Sequence, residues 1–376
     1  MKHLFTTWSL LVFFFITSNI FSQAIIIDHN CAKLEPIPES AVINAKQTLH
    51  IAYGHTSHGS QLTDGMTGLI GQTNLIGYKG DIYNWNNGGT DNALDLHDYF
   101  GSGDLGHNGD TTWAPYTRTY LATNPDVNVI IYSWCGGCSD NSYDGIQTYL
   151  DKMNELEQDY PNVQFVYMTG HTDIWADETL KANNQHIRDY CNAHNKILFD
   201  FADIERYDPD GTYFEFATDN CNYYSDGTGS TLLGNWATEW QSSHTEGIDW
   251  YNCSAAHSEA LNGNLKAYAA WWLWCRLSGW EGVAGTDETK IEDALNVYPN
   301  PAKNEITIKI NVNTNSEVNL SIFDIAGKKI DERNFVENYS DNNVIEINTQ
   351  QFKSGIYFIN IETGNERYTE KFTIVK

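Results

Sequence analysis

Basic residues are scarce in this 376-residue chain: 22 Lys and Arg stand against 49 Asp and Glu, a formal net charge of −27. So acidic a surface repels nucleic acid and anionic membranes alike, which excludes both as partners. Charged residues of both signs make up only 19%, while Trp, Tyr and Phe reach 13%. That composition excludes a disordered chain and leaves ample material for a core. Long apolar runs are missing too. The run Leu10–Phe15, behind Lys2 and His3 and flanked by Thr6, Thr7, Ser9, Thr17 and Ser18, is too short to anchor in a bilayer. It reads as a secretory signal peptide over residues 1–22, cleaved near Ser22–Gln23. No other segment is apolar enough to span a membrane.

Cysteines are few and odd in number: Cys31, Cys135, Cys138, Cys191, Cys221, Cys253 and Cys275. Cys135-Gly136-Gly137-Cys138 is a C-x-x-C motif, but a zinc site of that type needs a second pair, and none exists. Export permits disulfides, so a local bridge is expected at Cys135–Cys138, with Cys221–Cys253 next. The competing reading is a set of buried thiols.

Composition changes near residue 282. A small polar linker, residues 282–294, separates a front domain over 23–281, rich in Trp, Gly and His, from a tail over 295–376 that has none of Trp, Cys or His. Short alternating runs fill the tail: Glu305–Ile310, Val318–Asp324, Val344–Asn348, Gly355–Glu362 and Glu370–Val375. Each is bounded by turn-forming residues, which predicts an all-β, immunoglobulin-like sandwich. Four pieces occur there in order: Val297-Tyr298-Pro299-Asn300-Pro301, Ser321–Gly327, Ser354–Asn360 and Lys371–Lys376. With them the tail resembles the C-terminal type A sorting domain of the type IX secretion system of Bacteroidetes. The resemblance implies passage across the outer membrane, with that secretion machinery as partner, and a secreted or cell-surface location. A carbohydrate-binding sandwich is the alternative; the absence of Trp speaks against it.

In the front domain the expected strands are Gln47–Gly54, Val127–Ser133, Val163–Thr169 and Ile197–Phe201. Expected helices carry Ile146, Leu150, Met153 and Leu156 before Pro161, cover residues 177–194, and run from about Ser258 to Leu277. The last should bury Ala267, Ala270, Trp271 and Trp274. Strands alternating with helices predict a three-layer α/β/α domain on a parallel sheet. Residues 76–116 and 207–252 break that rhythm and read as long loops. In an open α/β sheet, loops at the carboxyl ends of strands build the site.

The segment richest in chemistry is Gly54-His55-Thr56-Ser57-His58-Gly59-Ser60, directly after the first of these strands. Such a turn can present a Ser hydroxyl at the sheet edge, and a nucleophilic Ser needs a base within hydrogen-bond reach. His257, just before the final helix, is the distal candidate. Ser57 as a helix N-cap is the plainer reading; the two flanking His and His257 favour the nucleophile.

At this point the chain resembles the SGNH (GDSL-like) hydrolases over about residues 45–280, in the form whose first block reads Gly-His-x-Ser-x-Gly. The resemblance implies a serine esterase with Ser57 as nucleophile, its own amide as an oxyanion donor, His257 as general base, and no cofactor. It departs from the family at Ser254, where the family carries an Asp three residues before the His. Asp249 is a replacement by proximity, and a backbone carbonyl can also orient the base. Gly137 and Asn141 are candidate oxyanion donors, with His55, His58, His171 and Asp173 in a polar substrate shell. Trp85, Trp113, Trp236, Trp240 and Trp250 either anchor the long loops or stack against sugar rings.

The expected activity is therefore deacylation of a polysaccharide. Two alternatives remain: a non-catalytic glycan-binding protein on the same fold, and a metal-dependent hydrolase using His55, His58 and His171. Asp208-Pro209-Asp210-Gly211 lacks the ligands of a calcium loop and reads as a turn.

Overall fold

The computed structural model describes residues 23–101, 105–282, 295–310, 318–324, 328–335, 343–363 and 366–376. The expected signal peptide, linker residues 283–294 and Ile325–Gly327 of the tail motif lie outside them. The chain divides into two compact units, Met1–Trp280 and Glu281–Lys376.

In chain order the first unit contains β1 (Ile25–Ile27), α1 (Glu39–Thr48), β2 (His50–Gly54), α2 (Ser57–Leu69), β3 (Trp85–Asn86), β4 (Leu94–Asp98), α3 (Trp113–Thr123), β5 (Val129–Tyr132) and α4 (Gly137–Asp140). There follow α5 (Tyr143–Asp159), β6 (Gln164–Met168), α6 (Asp177–Ala193), β7 (Ile197–Phe199), α7 (Phe201–Ile204), β8 (Asn222–Tyr224), β9 (Leu232–Asn235), α8 (Trp236–Ser243) and α9 (Ala260–Leu277). Seven strands form one sheet in the order β1-β7-β6-β5-β2-β4-β3, every pair parallel. Parallel neighbours cannot be joined by tight turns, so helices cross over between them and cover the sheet. β5 is sealed: Val129, Ile130 and Ile131 are fully buried. Burying each such side chain stabilises the fold by about 1.5–3 kcal/mol.

From β2 the chain adds β4 on one flank and then returns to add β5 on the other. The sheet therefore has its switch point at β2, where connections leave to opposite sides and open a crevice beyond the carboxyl ends of β2 and β5. Ser57 follows the end of β2, and Cys135 follows the end of β5.

The last helix, α9, is buried almost all round, with Ala267, Ala270, Trp271 and Trp274 at zero exposure. It packs against α2 through glycines: a Cβ at Gly65 would stand 2.1 Å from the Gly263 carbonyl oxygen. Any larger residue at Gly65 would force these two helices apart, and they carry Ser57 and the approach to His257.

The structure departs from the sequence expectations at several points. The strand expected over Gln47–Gly54 begins at His50, because α1 runs through Thr48. The loop expected over residues 76–116 holds β3 and β4, the latter an interior strand written Leu-Asp-Leu-His-Asp. The stretch 207–252 holds the β8–β9 hairpin and α8. All seven cysteines are thiols, which corrects the expected disulfides. Cys138 Sγ turns to Asn184 Oδ1 at 3.3 Å, away from Cys135. Cys221 Sγ meets Ser258 Oγ at 3.4 Å, while Cys253 Sγ points to the Ala260 carbonyl at 3.5 Å.

The second unit is antiparallel β. One sheet pairs β10 (Leu295–Tyr298), β11 (Glu305–Ile310) and β14 (Asn343–Asn348). The other is ordered β13-β12-β15-β16, with β12 Val318–Asp324, β13 Lys329–Phe335, β15 Gly355–Thr363 and β16 Glu366–Ile374. Alternate residues point inward: Ile306 and Ile308, Leu320 and Ile322, Ile359 and Ile361, Phe372 and Ile374 are all buried. These side chains form a core of their own.

Candidate active site

Ser57 is the first residue of α2; its amide lies in the first turn, where N–H groups have no intrahelical acceptor. Its hydroxyl does not cap the helix. Ser57 Oγ lies 3.0 Å from His257 Nε2, across 200 residues of sequence. His257 sits in the loop before α9 with φ 63°, a left-handed backbone that costs a non-glycine residue about 1 kcal/mol. Gln61 Nε2 donates to the Ala256 carbonyl at 2.6 Å and holds that loop against α2. Among the described residues no carboxylate bonds to the His257 ring. Asp249, the replacement suggested by proximity, instead accepts from its own turn at the Thr245 amide, 2.8 Å away. The His257 ring is placed by stacking on His58, with centroids 4.6 Å apart and planes 17° apart.

His58 is the most connected side chain of the cluster. Its Nε2 meets Asp219 Oδ2 at 2.9 Å, and its Nδ1 meets Cys135 Sγ at 3.0 Å. Burial opposes a charge on His58, but the bonds to Asp219 and Cys135 outweigh it and raise its pKa to about 9. Asp219 is held below the usual carboxylate range: burial pushes it up, and His58 with His171 overcomes that. His171 stacks on His58 in parallel, centroids 3.7 Å apart and planes 2° apart. The Gly136 amide donates to His171 Nε2 at 3.0 Å, so the proton sits on Nδ1, which donates to the Thr172 carbonyl. Burial and the neighbouring His58 charge lower the His171 pKa.

Replacing Asp219 with Asn is therefore expected to lower the His58 pKa from about 9 toward the ordinary 6.5. Imidazole NMR titration of wild type and Asp219→Asn reads this directly; an unchanged midpoint would show that Asp219 does not set it. Because the folded value is the raised one, His58 stabilises the fold fully below pH about 6.5, and that contribution is lost as pH rises through about 9.

His58, His171 and Asp219 each offer a ligand atom within 4.8 Å of the others. Their arrangement nevertheless does not suit a metal. His171 Nε2 already accepts an amide proton, and two rings stacked face to face aim their in-plane lone pairs side by side, whereas ligands of one ion converge. His55, a member of the expected metal set, stands apart, with Nε2 at 2.7 Å from Asp98 Oδ1 and Nδ1 at 2.8 Å from the Thr56 carbonyl.

Asn141, an expected oxyanion donor, is buried; it donates to the Gly106 and Gly137 carbonyls and accepts from the Gly109 amide. Asp173, expected in a substrate shell, is buried, and its Oδ1 accepts from the Trp175 and Ala176 amides at the entry to α6. Gly137 opens α4, two residues after Cys135. Trp113, Trp236 and Trp240 are buried, and Trp85 and Trp250 are half-buried against the core, so these five pack into the fold. Among the described residues the most exposed large aromatic side chain is Trp175, 93% exposed, in the loop after β6 that also carries His171. Asp208 Oδ1 accepts from the Asp210 and Thr212 amides, which makes that segment a turn; it lines a separate cavity of about 370 Å³ with His29, Tyr207 and Trp240.

Sequence reasoning missed Cys135, Asp219 and Trp175. Cys135 reads in the sequence as half of a disulfide, and Asp219 lies in the irregular stretch between α7 and β8, where no periodicity marks it.

Comparison with known proteins places the tail. Residues 296–376 match the secretion system C-terminal sorting domain family. An endo-acting ulvan lyase of Formosa agariphila is 28% identical over 147 residues, which are 36% of this chain and 27% of that protein. The chain thus spans about a quarter of the length of that curated relative. Among solved structures, PorZ of the Porphyromonas gingivalis type IX secretion system is 17% identical, covers 24% of this chain and 13% of its own, and overlays with a TM-score of 0.18. Latent PorU of the same organism is 15% identical over 22% of this chain and 9% of its own, with a TM-score of 0.19. No described helix is long and apolar enough to cross a membrane. The tail over residues 296–376 matches a secretion system sorting domain, which implies the secretion machinery as its partner, and the protein is secreted or displayed on the cell surface.

Proposed function

We propose that this protein is a secreted serine esterase with an SGNH-like front domain that removes acyl groups from a polysaccharide. The observation that carries this reading is the 3.0 Å approach of Ser57 Oγ to His257 Nε2 beyond the carboxyl end of β2. In the proposed cycle His257 takes the Ser57 proton as Oγ attacks the ester carbonyl, and returns it to the leaving alcohol. Water, deprotonated by the same ring, then releases the acid. The Ser57 amide, in the first turn of α2, faces the developing oxyanion. The stack on His58 replaces the missing Asp in orienting the base. A carbohydrate substrate is supported by two features. Trp175 offers an exposed ring face of the kind that stacks on sugars, and the ulvan lyase is a polysaccharide-degrading relative.

A fluorophosphonate probe tests the nucleophile. Peptide mass mapping is expected to find the phosphonyl group on Ser57, with labelling much slower in His257→Ala. Labelling of another residue, or none, would rule the reading out.

A further inference from the structure

A thiol stands beside Ser57 with an imidazole and a carboxylate of its own. Cys135 follows β5 as Ser57 follows β2, and the two strands are neighbours in the sheet. Cys135 Sγ and Ser57 Oγ are 3.5 Å apart, so both border one crevice. His58 lies between Cys135, at Nδ1, and Asp219, at Nε2. An ionised carboxylate only accepts, so the Asp219 bond places a proton on Nε2 and leaves Nδ1 to exchange a proton with the thiol. Nucleophile, proton carrier and orienting acid thus follow in a line, the arrangement that activates a hydroxyl or thiol. The Ser57–His257 pair has no such acid among the described residues.

The surroundings fit the role. Cys135 is half-buried, whereas Cys31, Cys138, Cys191, Cys221 and Cys275 are buried. Burial pushes Cys31, Cys138, Cys221, Cys253 and Cys275 up to about 12. The bond to His58 brings Cys135 down to about 6 against the opposing effect of burial, with Ser57 and Thr56 assisting. The groups facing His58 are Asp219, His171, His257 and Glu205. Of these, Asp219 is held ionised and the lowered pKa of His171 keeps it neutral, so neither competes for the proton that His58 and Cys135 share.

We propose that Cys135, with His58 as proton carrier and Asp219 as orienting acid, is a second acyl-accepting nucleophile, taking acyl groups from esters as a thioester. The thiolate attacks the ester carbonyl, the C–S bond forms, the C–O bond breaks, and the leaving alkoxide takes the Nδ1 proton of His58. Water then attacks the thioester while His58 accepts its proton, releasing the acid and restoring the thiolate–imidazolium pair. This step does not depend on Ser57 acting as a nucleophile.

The test uses the intact protein. Wild type and Ser57→Ala are mixed with p-nitrophenyl acetate near neutral pH, quenched in acid, and digested for peptide mass mapping. An acetyl group on the peptide bearing Cys135 in both proteins, released by neutral hydroxylamine, is the expected result. Acetyl found on Ser57 and never on Cys135 overturns this proposal and leaves the esterase reading intact. Acetyl on Cys135 alone upholds it and removes Ser57 from the chemistry. Iodoacetamide supplies a second readout that needs no turnover. The rate of Cys135 alkylation against pH should have its midpoint near 6 in wild type and fall about tenfold near neutral pH in His58→Gln. A wild-type midpoint at the ordinary thiol value of about 8.5 would also overturn the proposal.

Discussion

Replacing Lys266 with Met is expected to destabilise the front unit by about 3–5 kcal/mol. Lys266 is completely buried in α9, where its ammonium donates to Glu205 Oε1 at 2.6 Å and to Gln61 Oε1. Burial holds the Lys266 pKa below its ordinary value, with Glu205 opposing. Removing the cation leaves the Glu205 carboxylate, also fully buried, without its counter-charge. The damage would not stay in the core. Glu205 Oε2 accepts from the Thr172 amide and hydroxyl, and the Thr172 carbonyl accepts from His171 Nδ1 and from the Asp219 amide. Gln61, the other partner of Lys266, grips the loop of His257 through the Ala256 carbonyl. One buried cation therefore supports both sides of the crevice. Urea unfolding of wild type and Lys266→Met measures the loss, and Lys266→Met/Glu205→Gln should recover part of it, because no buried charge is then left unpaired. A single variant within about 1 kcal/mol of wild type would show that no unpaired buried charge is left at Glu205.

Much of the scaffold was legible in the chain, because continuous Val/Ile runs and helical spacing have simple physical causes. β5, β6 and α5 are buried by residues that recur at strand or helix period, and the pattern survives without knowledge of neighbours. β4 escaped because Asp95, His97 and Asp98 dominate its sequence. It pairs with β2 and β3 all the same, since His97 and Asp95 satisfy each other and His50. α1 escaped for a related reason: its buried residues Ala41, Val42 and Ala45 are small and few.

The site was half legible. A strand–turn–helix with Ser57 is a local feature, and a late His before the last helix is a positional one, so the pair could be named from the chain. Cys135, His58 and Asp219 come together only through the strand order, which brings β2 and β5 side by side and folds the loop before β8 over them. The C-x-x-C spacing pointed toward a disulfide, because spacing says nothing of direction. Cys135 faces the crevice, while Cys138, one turn on, faces the buried amide of Asn184.

The largest effect on turnover is expected at Ser57. Ser57→Ala should lower kcat/KM for p-nitrophenyl acetate by on the order of 10³ or more, and His257→Ala by on the order of 10²–10⁴. The two residues are 3.0 Å apart and act as one unit, so the double variant should be no worse than Ser57→Ala alone. Additive losses would instead mean that His257 serves some other step, such as binding the alcohol. Rates of Ser57→Ala within about twofold of wild type would remove the hydroxyl from the reaction altogether. Blocking Cys135 with iodoacetamide then separates what remains. If the residual rate of Ser57→Ala falls on alkylation, the thiolate 3.5 Å away carries it; if it does not, binding and the helix-end amides account for it.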